Sequence, residues 1–308
     1  MNNIKAFIIL ILAVFIFHHC SDDFLEEKKD YNNFTFTIFH NETQTNEYLA
    51  HVYYLYYKGY DRPVENIYGA PTSEFSQMTE EIGGEISDYI DSTVTLVSAE
   101  DADNFYGQRL KQGSEYNDPY TRIRNCNKII EDIEKHGRDH LEDLFIDQVK
   151  GQAYFLRGLQ YVDLMRIYGG VPLVTEVQNA SSIDESIKLP RASIEEMLQH
   201  IAADFDKAAG LLPSVWDGEN YGRPTKGAAL AMKSRALLTG ASPLFNADWD
   251  NPSSQRWEDA RLAGEAAVIE LEAAGYGLYG TSANDWAKMF YEFDNAISPE
   301  AIHVILCA

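Results

Sequence analysis

Residues 151–172 read GQAYFLRGLQYVDLMRIYGGVP, and this stretch constrains the fold more than any other part of the chain. Polar side chains recur at Arg157, Gln160, Asp163 and Arg166. Nearly everything between them is apolar or aromatic, from Ala153, Phe155 and Leu156 through Tyr161, Val162 and Leu164 to Met165 and Ile167. A helix with one narrow polar stripe is mostly buried. The pattern predicts a central helix over Leu141–Tyr168, stopped by Gly169-Gly170, with Pro172 preventing a restart. Gly158 sits inside this helix, where glycine costs roughly 1 kcal/mol against alanine. Close approach by a neighbouring helix accounts for it.

Other segments carry the same 3.6-residue period. Thr45–Lys58 places Tyr48, His51, Val52, Leu55 and Tyr56 on one face. Residues 104–135 read as two helical parts divided at Pro119. Ser193 followed by Glu196 is a capping box, opening a helix whose buried face is Ile194, Met197, Leu198, Ile201, Phe205 and Ala208. Thr225–Leu244 is dense in small residues (Gly227, Ala228, Ala229, Ala231, Ser234, Ala236), which lets helix backbones pack closely. Trp257–Ala274 is amphipathic through Trp257, Ala260, Leu262, Ala263, Ala266, Ala267 and Ile269, and Trp286–Phe293 starts one more helix. Val171–Lys188 reads as a loop with a short extended piece at Val171–Val177. Six or seven helices in sequential pairs define a mainly all-α chain, a helical-pair array of the tetratricopeptide kind.

Between the first two helices, Asp61–Asp103 lacks a helical period and carries Gly69, Pro71, Gly83 and Gly84. A loop this long inside a compact chain is functional or disordered. Its rings and polar groups, continued to Tyr106, include Tyr68, Glu74, Gln77, Tyr89, Asn104 and Tyr106. These six are the candidate ligand-binding residues of an irregular, ligand-facing insertion.

The first residues are an address. Lys5 precedes the apolar run Ala6–Phe17, too short to span a bilayer comfortably, and Cys20 follows at once. A cysteine placed there resembles a bacterial lipoprotein signal, although His18 and His19 stand where small residues are usual. The expected division is a signal peptide over 1–19, lipidation at Cys20, a polar tether over 20–46 and a helical-repeat domain over 47–308. With 48 acidic against 25 basic residues, the net charge of −23 argues against nucleic acid and anionic membrane surfaces as electrostatic partners. Neutral sugars remain compatible.

Several constellations point to no chemistry. Gly275-Tyr276-Gly277-Leu278-Tyr279-Gly280 spells G-x-G-x-x-G but follows a helix, so it reads as a helix stop and turn instead of a dinucleotide site. His136 and His140 are separated by Gly137 and flanked by Lys135 and Arg138, which oppose a cation. Cys126 lies in a helical pattern as a small buried residue. No catalytic residues, metal or cofactor are expected. The terminal Ile302–Cys307 run is strand-like.

Taken together, CSDDFLE (Cys20–Glu26), AYFLRGLQYVDLMRIYGGVPLVT (Ala153–Thr175), RASIEEMLQHIAADFDKAAGLLP (Arg191–Pro213), GRPTKGAALAMKSRALLTGASPLFN (Gly222–Asn246), WEDARLAGEAAVIE (Trp257–Glu270) and NDWAKMF (Asn284–Phe290) resemble, in order and spacing, the SusD/RagB family of Bacteroidota outer-membrane lipoproteins. The resemblance implies a longer protein with tetratricopeptide-like helical pairs and an irregular binding face. It also implies a cell-surface lipoprotein, lipid-anchored in the outer membrane, that captures oligosaccharide for a SusC-like TonB-dependent transporter and does not cut it. The alternatives are a peptide-binding RagB-like importer component or a surface glycoside hydrolase.

Overall fold

The computed structural model describes residues 36–57, 118–178, 187–291 and 299–304. Among these the chain forms α1 (Glu42–Tyr57), α2 (Pro119–His136), α3 (Asp143–Tyr168), α4 (Ile194–Leu211), α5 (Lys226–Ala241), α6 (Gln255–Ala273) and α7 (Ala283–Tyr291). Two short 3-10 helices, Thr37–His40 and Gly218–Asn220, complete the described elements, with no strand among them.

Local chemistry sets the helix ends. The Asp118 carboxylate accepts from Thr121 N at 2.8 Å, with Pro119 following where a missing N–H costs nothing. Ser193 and Glu196 form the expected capping box, and Thr225 Oγ1 accepts from Ala228 N. Gly169 leaves α3 at φ +71°, a region that favours glycine. Gly170 follows so closely against α4's approach that a Cβ there would stand 1.8 Å from the Ala192 carbonyl oxygen.

From α2 to α6 each helix packs on the next, and α1 lies across α2 and α3. This is the helical-pair array that the periodicity predicts, with α3 at its centre. Small residues permit the close crossings. A Cβ on Gly158 would meet the Phe205 ring at 3.1 Å, and one on Gly240 would meet Leu198 at 2.5 Å. Phe155 and Phe205 sit edge to face beside the first crossing.

Four details depart from the sequence reading. The buried stripe of α1 is Thr45, Leu49, Val52 and Tyr56, while His51 is exposed. Described helical structure reaches back beyond Glu47: the Thr37–His40 turn buries Phe39, and α1 begins at Glu42 within the stretch read as tether. In α6 the buried face is Ala260, Ala263, Ala267 and Leu271; Leu262 and Ile269 face outward. Leu271 packs over Gly227 of α5, and alanines fill the rest of the contact. Finally, residues 301–304 of the run read as strand-like are irregular, with 305–308 outside the described residues, while 171–178 form a loop as read.

Candidate functional site

Tyr68, Glu74, Gln77, Tyr89, Asn104 and Tyr106, like Cys20, lie outside the described residues. The structure places instead the edges to which the intervening chain connects: the end of α1 at Tyr57 and the start of α2 at Asp118.

The α1 edge carries a half-buried aromatic and amide cluster. Tyr53 and Tyr57 stack along one helix face, ring centroids 6.0 Å apart and 11° from parallel. Tyr53 Oη donates to Gln152 Oε1 on α3 at 2.9 Å. The Arg223 guanidinium reaches the same Gln152 oxygen and Asn46 Oδ1 on α1, each at 3.2 Å, and stands 5.9 Å over the Trp216 ring. Trp216 Nε1 donates to Pro224 O, so the indole is fixed by the turn that carries the arginine. Tyr57 Oη lies 2.7 Å from His303 Nε2. Burial holds the His303 imidazole down to about 4, in the neutral form, and burial pushes the Tyr53 hydroxyl well above its ordinary range. The groups gathered here are rings, amides and one guanidinium, the chemistry of recognition.

A second network fixes the segment after α3. Arg157 and Asp204, 3% and 1% exposed, share two hydrogen bonds of 2.8 and 2.6 Å. Burial works against the Arg157 charge, but the Asp204 bonds outweigh it and hold the guanidinium above its ordinary value. Arg157 also orients Asn127 through a 2.6 Å bond to Oδ1, and Asn127 Nδ2 donates to the carbonyls of Val174 and Glu176. Tyr161 Oη exchanges bonds with both the N–H and the carbonyl of Val174. Tyr120 Oη holds Pro172 O, and the Glu131 carboxylate accepts from Val177 N. The polar stripe of the central helix is therefore turned inward at Arg157 and Gln160, where Gln160 Oε1 accepts from buried Arg122. Asp163 accepts from Tyr56 Oη, and Arg166 alone of the four is exposed.

On the helical side, α4, α5 and α6 enclose a groove of about 400 Å³ with Leu198, Ala202, Leu237 and Ala263 at its walls. Ion pairs Arg256–Glu195 and Lys233–Asp206 flank it.

The motifs set aside in the sequence take ordinary places. Gly275 and Gly280 have φ of +92° and +68° in the turn after α6. His136 stacks on Phe36 and His140 on His40, and the described residues contain no group of three metal-ligating side chains. Cys126 is buried, its thiol pushed up to about 12 by that burial.

Arg223, Trp216, Gln152 and Asn46 escape a reading by periodicity, because they come from three separate segments: α1, α3 and the connection between α4 and α5. The one local signal is Gly222-Arg223 directly before the Thr225 cap, with Gly222 at φ +94° aiming the arginine back toward α1.

Residues 23–238 match a SusD-like family described as starch-binding and associating with the outer membrane. SusD-like protein P25 of Formosa agariphila is 25% identical over 128 residues, covering 42% of this chain and 23% of its own length. SusD-like protein P38 of the same organism is 43% identical over 61 residues, 20% of this chain and 12% of that protein. A SusD-like crystal structure from Bacteroides fragilis superposes with a TM-score of 0.59 at 22% identity, over 88% of this chain and 46% of its own. A SusD homologue from Bacteroides thetaiotaomicron gives 0.57 at 20% identity, over 82% and 44%. The chain thus spans less than half the length of these proteins. The family match takes in α1 to α5 and the stretch between α1 and α2, and the helical array is the one seen in the SusD-like structures. The chain belongs to the SusD/RagB family.

Proposed function

We propose that this protein is a cell-surface lipoprotein, anchored by lipid on Cys20, that binds oligosaccharide and delivers it to a SusC-like TonB-dependent outer-membrane transporter. The observation that carries the reading is the family match over residues 23–238, whose description is starch-binding with outer-membrane association. It runs through the stretch between α1 and α2, where the sequence concentrates tyrosines, amides and carboxylates. In this reading α1 to α6 form a rigid frame, and the insertion mounted on α1 and α2 presents Tyr68, Tyr89 and Tyr106 as stacking platforms. Glu74, Gln77 and Asn104 would supply hydrogen bonds to hydroxyls. Rings stacked on sugar faces bury apolar area while fixed polar groups give orientation, so binding needs no reactive group. Residues 1–19 act as the signal, and the segment from Cys20 to the Phe39 turn as the tether.

A glycan panel titrated calorimetrically against the protein tests this. Saturable binding without turnover of labelled oligosaccharide is the expected result. Replacing Tyr68, Tyr89 and Tyr106 together by alanine should weaken it by about two orders of magnitude, at roughly 1 kcal/mol per stacked ring. Cleavage of the glycan would replace the binder with a hydrolase. Intact mass of the envelope-extracted protein reports lipid on Cys20, and an unprocessed Met1 would remove the anchor from the proposal.

A further inference from the structure

The Arg223 guanidinium differs from several arginines of the array that are paired with carboxylates. Arg157 has Asp204, Arg138 has Glu134 and Asp143, and Arg261 has Glu258 and Glu265. Arg223, only partly exposed, has no carboxylate among the described residues, in a chain with 48 acidic side chains. Its hydrogen-bond partners are two amide oxygens, and their arrangement matters. Nη1 and Nη2 both donate to Asn46 Oδ1 at 3.2 Å, and Nη1 donates also to Gln152 Oε1 at 3.2 Å. A guanidinium has five N–H groups in a fixed plane. Two Nη1 hydrogens and one Nη2 hydrogen are thereby occupied. The remaining two, on Nε and on the near side of Nη2, form the side-on edge, which is the geometry that receives a carboxylate or another oxyanion through two parallel bonds. The Nε–H makes no hydrogen bond among the described residues, and the Arg223 side chain is only partly buried.

The residue is also held ready. Trp216, fixed by its 2.7 Å bond to Pro224 O, supports the guanidinium face, while Asn46 on α1 and Gln152 on α3 fix its end. Gln152 is itself tied to Gln148 O and Tyr53 Oη. An arginine so constrained loses little rotamer freedom on binding, which is the main cost of recruiting a long side chain.

We propose that Arg223, with Trp216 beside it, is an anion-receiving subsite that takes the carboxylate of a uronic acid unit, or a sulfate ester, on a saccharide. The side-on edge binds two oxygens of the acid group, and the indole supplies apolar surface to the sugar ring that bears it. In sequence the site is separate from the insertion that carries the proposed stacking tyrosines, and the inference goes beyond that reading by assigning the charge class of the glycan. The chain's net charge of −23 opposes this partner at long range, so the subsite selects at contact and does not steer.

The experiment follows the Arg223 Nε–H resonance of isotopically labelled protein while digalacturonate, glucose 6-sulfate or maltose is added. Saturable shifts with either acid and none with maltose are the expected result. A response to digalacturonate alone assigns the carboxylate, to the sulfate alone the ester, and to both a general oxyanion fork. No response to either acid overturns the subsite, and binding of neutral glycans elsewhere would then leave the proposed function standing. A parallel titration uses Arg223→Lys, which keeps the charge and loses the fork. Digalacturonate affinity should fall about tenfold with the melting temperature within a few degrees of the parent. Unchanged affinity in that variant would also overturn the assignment.

Discussion

Removing Arg157 tests whether the inner network holds the array together as one unit. In Arg157→Met the Asp204 carboxylate stays 1% exposed and loses both of its short bonds, while Asn127 Oδ1 and the Thr175 carbonyl lose a donor. Breaking a buried pair from one side costs about 3–5 kcal/mol, because an uncompensated charge is left in the interior. Asp204→Leu strands the guanidinium in the same way and should cost a similar amount. The double replacement removes both charges, so it should cost less than either single change. His200 supplies an internal check. Its Nε2 stands 3.5 Å from Asp204, and burial first, then Arg157 and Lys207, hold its pKa below the ordinary value against the pull of Asp204. Without Arg157 that pKa rises, and the Arg157→Met penalty should shrink as pH falls and His200 protonates beside the orphaned carboxylate. Urea denaturation followed by circular dichroism at pH 8 and pH 5.5 measures all three variants. A double-mutant cost equal to the sum of the singles would refute the coupling, as would a penalty that does not depend on pH.

His303 is depressed to about 4 by burial, from 6.5. The unfolded chain binds that proton first, so stability is complete above pH 6.5 and falls between there and pH 4, by up to about 3 kcal/mol; His303→Phe should flatten that limb of the pH–stability curve. Gly170→Ala puts a Cβ onto the Ala192 carbonyl and should destabilise by more than about 2 kcal/mol, read as a lowered urea midpoint. Ser193→Ala removes the α4 cap and should cost about 1 kcal/mol, while Glu196→Gln, which keeps the reciprocal bond, should cost less. The Cys126 thiol should resist alkylation at pH 8 in the native protein and react at once in denaturant.

Features that depend on near neighbours in the chain were readable from the residues alone. Ser193 with Glu196, Gly158 inside an apolar helix and the Gly169-Gly170 stop each state their geometry locally, and the structure places each as read. Features set by distant partners were not. Polarity at Arg157 and Gln160 resembles a solvent stripe until Asp204 and Asn127, 47 and 30 residues away, and Arg122 are brought against it. Leu262 and Ile269 have the hydrophobicity of core positions, but the face toward α5 is taken by three alanines and by Leu271, which needs Gly227 opposite it. For the site, composition directed attention to the tyrosines between α1 and α2. Trp216 and Arg223 carry no periodic signature, and only the fold brings them beside Asn46.

The segment from Pro172 to Gln178 is gripped almost entirely by its backbone: Tyr120, Tyr161, Asn127, Arg157, Glu131 and Arg124 bind its carbonyls and N–H groups and none of its side chains. Its position is therefore encoded largely in α2 and α3, and its exposed residues are free to change. Leu173 and Val174 pack against the core, whereas Thr175 and Glu176 are exposed, so a library randomised at 175 and 176 should fold as the parent does. Proline at 174 or 177 should be rejected, since each would delete an N–H that the helices hold. Such a segment can be rewritten to meet a new ligand while the frame that carries it stays the same.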